Sequence, residues 1–228
     1  MATPSDRLRA RVLSAVENTP APTTRTRTRI LLALVFVPAL TTLVTLIASE
    51  WVYGLPAAGL DIDVASPSTA ITILTLLAGL AIISTLFALW QARGGLGIAT
   101  MWLASIAALV LPMYVALTVL QPLHSGAADD VAFTGVAISP WGWRCIFIGT
   151  LVSVSALAVF AAALRRAVPV AGNLRGAALG AAAGAWGGLA VFAFCPSGEL
   201  QHLLVGHVLP IALFTLLGSA ALTRMLRP

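Results

Sequence analysis

Six stretches of the chain are nearly uninterrupted apolar runs, and the polar positions gather between and before them. The runs cover about 30–49, 69–90, 96–120, 143–164, 174–195 and 202–223. A helix rises ~1.5 Å per residue, so ~20 apolar residues cross the ~30 Å hydrocarbon core of a bilayer. Each run meets that length, and the pattern predicts an all-α membrane protein with six transmembrane helices. Pro38, Pro112 and Pro210 fall inside runs, which membrane helices tolerate better than soluble ones. The first run reads as a retained helix and not a cleaved leader. The segment before it is long, and no small-residue cleavage site follows Ser49-Glu50-Trp51.

Composition agrees with the pattern. The chain is 59% hydrophobic and 9% charged, against ~25% charged residues in a soluble domain. The excess of positive charge then orients the helices. Arg7, Arg9, Arg11, Arg25, Arg27 and Arg29 precede the first run. Arg93, Arg165, Arg166, Arg175, Arg224 and Arg227 fall in loops or the tail on that same side. The opposite side carries Glu50, Asp61, Asp63, Asp129, Asp130 and Glu199, with Arg144 as its one basic residue. Basic residues stay cytoplasmic, so both termini are expected there. The organisation is a cytoplasmic segment over 1–29, a transmembrane domain over 30–223 and a cytoplasmic tail over 224–228. The high pI is thereby a matter of topology, and no direct nucleic-acid partner is expected.

The runs carry little chemistry. Apart from His207, no ionisable side chain lies well inside one. Pumps, proton-coupled carriers and intramembrane hydrolases need such groups. HExxH, phosphate-binding and Gly-x-Ser-x-Gly motifs are missing, as is a CxxC pair. The expectation is a protein that is not an enzyme, with no cofactor and no small-molecule substrate.

Two features stand out against that background. Gly172, Gly176, Gly180, Gly184 and Gly188 recur every fourth residue through the fifth run, a stripe that lets helix backbones approach closely. Cys195 lies two turns beyond Gly188 on the same face. In the fourth run, Cys145, Gly149 and Ser153 follow the same step. The fourth and fifth runs form an antiparallel hairpin. Cys145 and Cys195, the only cysteines, are each 25 positions from residue 170, so equal rise on both arms sets the thiols at one depth. A coupled thiol pair near the outer surface is expected, on the side where a disulfide persists. His202 and His207 follow closely. Five residues span ~140° around an α-helix, so they make a weak metal pair and are expected to reach water or a loop carbonyl instead. Loosening of the first turn by Pro210 would be needed to change that. No metal is assigned.

Residues 3–17, TPSDRLRARVLSAVE, read as a short amphipathic helix capped by Ser5. Leu8, Val12, Ala15 and Val16 form an apolar stripe with Leu13 beside it. Pro20 and Pro22 end it, and TTRTRTR runs on as a tether. Such a helix either lies on anionic lipid or docks in the groove of a cytoplasmic protein.

A short inner helix, six spans without buried charge, Cys145 after Trp143-Arg144, the glycine ladder, and Cys195 before Pro196 make a recognisable set. The chain resembles the integral-membrane anti-sigma factors of the NrsF type (negative regulator of sigma F). It is also similar to the six-span CarR type that controls light-induced carotenoid genes. The resemblance implies a multi-pass protein of the bacterial inner membrane. It further implies that the cytoplasmic segment, here the Leu8, Val12, Leu13 and Val16 face, binds an extracytoplasmic-function sigma factor. Cys145 and Cys195 would help sense stress, whether oxidative, metal or light-derived. Two rivals stay open: a small membrane carrier or channel subunit, and a metal-responsive protein using Cys145, Cys195, His202 and perhaps His207.

Overall fold

The computed structural model describes Ser14 and residues 24–53, 67–89, 96–119, 140–164, 172–195 and 202–225. The chain divides into two compact units, Met1–Ala33 and Leu34–Pro228. In the first unit Ser14 is helical, and the rest of the expected 3–17 helix, including Leu8, Val12, Leu13 and Val16, lies outside the described residues. Part of the expected tether is described. Residues 24–29 are already helical, as the start of α1, Thr24–Tyr53. Arginine favours a helix, and lengthening an existing helix into a polar segment fixes one residue per hydrogen bond gained.

The remaining elements are α2 (Pro67–Leu89), α3 (Leu96–Val119), α4 (Pro140–Leu164), α5 (Gly172–Phe194), a π-helical turn over Leu203–Val208, and α6 (Leu209–Met225). The described residues thus form the all-helical architecture that the apolar runs predict. Five spans are long and apolar enough to cross a bilayer: Ile71–Leu89, Thr100–Thr118, Gly142–Ala162, Gly172–Phe194 and Leu203–Ala221. α1 contributes a shorter apolar stretch, Leu32–Ala48. Pro38 and Pro112 sit within α1 and α3. Large apolar side chains such as Ile71, Met101, Phe147 and Leu216 point outward and are more than 60% exposed. Water would not tolerate such a surface and lipid tails do. The chain is a multi-pass membrane protein.

Helix α5 is the axis of the second unit. Over 18 residues of its apolar stretch 83% are buried, against 22–39% in the corresponding stretches of the other four spans. It packs on α2, α3, α4 and α6, most extensively on α6. Six glycines and eight alanines among its 23 residues explain this. A thin helix lets four neighbours approach, and close packing drives association where lipid offers no hydrophobic gain. The ladder does not turn toward α4, as the hairpin picture supposes, but toward α6. A Cβ on Gly176 would strike the Gly218 carbonyl, one on Gly180 the Phe214 carbonyl, and one on Gly184 would meet Ile211 Cα at 2.9 Å. The small face of α4 docks one residue off the ladder. There Gly187 lies against Gly149 and Ser153, and a Cβ on Gly149 would meet Val191 Cγ2 at 2.9 Å. The doublet Gly187-Gly188 opens two adjacent faces of one helix, which the four-residue spacing alone does not reveal.

Several threonine hydroxyls within the spans are satisfied locally. Thr42, Thr118 and Thr215 each donate to the carbonyl one turn earlier, at 2.8–2.9 Å, the usual way a hydroxyl is buried in a helix. Thr85 also reaches across the bundle. Its hydroxyl donates to Ala81 O at 2.7 Å and accepts from Trp186 Nε1 at 3.1 Å. Thr85→Val keeps the shape and strands the indole N–H. We expect a loss of about 1 kcal/mol in detergent unfolding, and no loss beyond that of Trp186→Phe when the two are combined.

Candidate functional site: a buried thiol–imidazole cluster

The last span opens with a widened turn, and the site is built around it. His202 precedes the π-helical turn Leu203–Val208, and the Leu209 N–H bonds Leu204 O, five residues back. Proline explains the location. Pro210 has no N–H, and its ring clashes with the carbonyl four residues earlier, that of Gly206. An α-helical first turn is therefore disfavoured there, and the backbone takes the wider spacing.

The widening corrects the expected placement of the histidines. In an α-helix, residues five apart diverge by ~140°, but in an i→i+5 helix they are about one turn apart. His202 and His207 accordingly face each other, with ring centroids 5.4 Å apart in an edge-to-face arrangement. Neither reaches water, being 7% and 1% exposed.

Both cysteines come to the same place. Cys145 projects from the second turn of α4. Cys195 directly follows α5, and its N–H still bonds Val191 O at 2.8 Å, so the helix fixes its position. Both carry free, fully buried thiols, with their sulfurs within 4.8 Å of each other. Cys195 Sγ is 3.0 Å from His202 Nε2. One ligand-type atom from each of Cys145, Cys195, His202 and His207 falls within 4.8 Å of all the others. Gly206 lies at the edge of the group, where a Cβ would make ordinary contact with Cys145 Cβ and His202 Nε2 at 3.5 Å.

A fifth residue, Tyr114 of α3, is not among those the sequence singles out. It is fully buried. Its hydroxyl donates to Gly188 O at 3.0 Å and lies 3.4 Å from His207 Nδ1. The ring fits only because residue 188 is glycine, since a Cβ there would meet Tyr114 Cε2 at 2.6 Å. With its hydrogen committed to the carbonyl, the phenol oxygen accepts from Nδ1–H. That sets the His207 tautomer and leaves the Nε2 lone pair exposed within the protein. Nε2 is buried with no hydrogen-bond partner. A lone tyrosine in an apolar run offers no sequence signal of this role; Pro210, three residues after His207, does signal the widened turn.

Of the other residues singled out above, Gly176, Gly180, Gly184 and Gly188 lie at the close approaches of α5, and Gly172 begins that helix. Arg175, counted above with a loop, is in the first turn of α5 and buried. Comparison with curated proteins and with solved structures found no significant match. The sequence profile of one family, NrsF (negative regulator of sigma F), matches residues 15–227. That match covers all the described helices and all four side chains of the cluster, and on it the chain belongs to the NrsF family of negative regulators of a sigma factor.

Proposed function

We propose that this protein is an anti-sigma factor of the bacterial inner membrane that holds an extracytoplasmic-function sigma factor on its cytoplasmic N-terminal segment. The family match over residues 15–227 carries the reading. Twelve of the thirteen arginines fall on the side assigned to the cytoplasm, which supports an inward N-terminus. The Leu8, Val12, Leu13 and Val16 face suits a helix-in-groove contact. Signal enters at the other end of the bundle, where modification of Cys145 and Cys195 by an oxidant, a metal or a light-derived species alters helix packing and frees the sigma factor. The convergence of α3, α4, α5 and the last span on these thiols supports this step, because a change there has four elements to move. Energetically little is needed: ~1.4 kcal/mol of coupling changes release tenfold.

Co-purification tests the partner. Membranes carrying the full chain should retain the cognate sigma factor, and a form lacking residues 1–20 should lose it while still inserting in the membrane. Equal retention by both forms would remove the N-terminal segment from the mechanism.

A further inference from the structure

We propose that Cys145, Cys195, His202 and His207 form a closed tetrahedral centre for a divalent d10 cation of the zinc class, with Tyr114 as the residue that positions His207. This is independent of what residues 1–29 bind.

Geometry comes first. Zinc–sulfur bonds of ~2.3 Å and zinc–nitrogen bonds of ~2.0 Å put tetrahedral ligand atoms about 3.3–3.8 Å apart. The four atoms already lie within 4.8 Å of one another, and the Cys195–His202 edge at 3.0 Å is already short. Closing the widest edge takes about 1 Å of side-chain rotation. The ligand type agrees, since two thiolates and two imidazoles in a tetrahedron select zinc-like ions.

The hydrogen bonding points the same way. A metal-binding histidine ordinarily donates its other ring N–H to a fixed acceptor, which sets tautomer and ring orientation. Tyr114 provides that acceptor at Nδ1. The consequence is an Nε2 lone pair, buried and unpartnered, in a region where an unpaired polar atom costs free energy. A cation supplies the missing partner. The π-helical turn has the same logic, because such turns are frequent at functional sites. Without the turn, His202 would leave the cluster.

Charge selects the valence. Binding displaces one proton from each thiol, and two thiolates with two neutral imidazoles carry a charge of −2. A divalent ion brings the centre to zero, whereas a monovalent ion leaves an uncompensated negative charge in a buried site of low dielectric. Four protein ligands also leave no open position. That describes a structural or sensing site and not a catalytic one.

Cobalt(II) is the probe. The full-length protein, purified in detergent, reduced and freed of metal by chelator, is titrated with cobalt and then with zinc. We expect one cobalt per chain with thiolate charge-transfer bands and the intense visible bands of tetrahedral coordination. Zinc should displace it and raise the melting temperature, with release of about two protons per ion. Cys195→Ala and His207→Gln should each lose the tetrahedral spectrum. Tyr114→Phe should keep the stoichiometry and the thiolate bands, shift the visible envelope and weaken binding about 10–100-fold. Wild-type protein that binds no stoichiometric cobalt, or binds it without thiolate bands, overturns the proposal. Because the wild-type titration decides the matter, a variant that fails to fold does not rescue it.

Discussion

Gly180→Leu is expected to abolish folded protein. The position leaves no room, because even a Cβ would strike the Phe214 carbonyl, and Thr215 Cα would lie 3.0 Å away. Both are backbone, which cannot rotate aside as a side-chain tip does. Relief requires α5 and α6 to separate, and that opens the neighbouring approach in which a Cβ on Gly218 would meet Gly180 Cα at 2.9 Å. Inserting bulk into a packed core costs typically ~1–3 kcal/mol, and a backbone clash along the most extensive interface of the bundle belongs at or above the top of that range. The measurement is detergent unfolding and monodisperse yield. Gly79→Ala is the matched control. It lies in α2 with nothing within 4 Å of a Cβ, so alanine there should be neutral or stabilise by roughly 0.5–1 kcal/mol through lost chain entropy. If the two variants behaved alike, glycine content and not helix approach would govern the fold.

The contrast shows how far sequence carries. Both glycines sit in apolar runs, and spacing marks Gly180 as part of a ladder, which is enough to expect close packing. Spacing does not say which neighbour the ladder meets, because lipid-facing and helix-facing surfaces are equally apolar in a membrane protein. Helix number, and the extent of the last five helices, were legible because a bilayer imposes one length and one composition on a span. The convergence of Cys145 and Cys195 was legible because a hairpin with equal arms keeps equal depths. The histidines were not, since an α-helical wheel misplaces residues on either side of a turn that is not α-helical. Tyr114 was beyond reach, its role depending on a contact 93 residues away along the chain.

Replacing Cys145 and Cys195 together by serine is the second large effect. Serine fits the space of a buried cysteine but is a poor thiol surrogate, binding soft metals weakly and forming no disulfide. On the proposed sensing route, repression without stress should persist, because residues 1–29 are untouched. Induction should fall from its full ratio to about one, and since ~1.4 kcal/mol is worth tenfold, even a modest coupling makes this easy to read. Target-gene transcription is followed in cells given, in turn, an oxidant, a thiophilic metal and light. Undiminished induction in the double variant would remove the thiols from sensing, and loss of repression without stress would instead make the pair part of what holds the inhibited state. A normal response to one stimulus with loss of another would identify the signal.

The widened turn at the head of the last span also bears on how ligand pairs are found in helices. A π-helical turn amounts to one residue inserted into an α-helix, so face periodicity slips by ~100° across it. His202 and His207, with four residues between them, therefore stand as partners where an α-helical pair would have three. A scan that keeps a constant phase through Leu203–Val208 discards such a pair at the outset. Two histidines spaced His-x4-His, with a proline three residues beyond the second, mark a place where the helical frame is to be restarted.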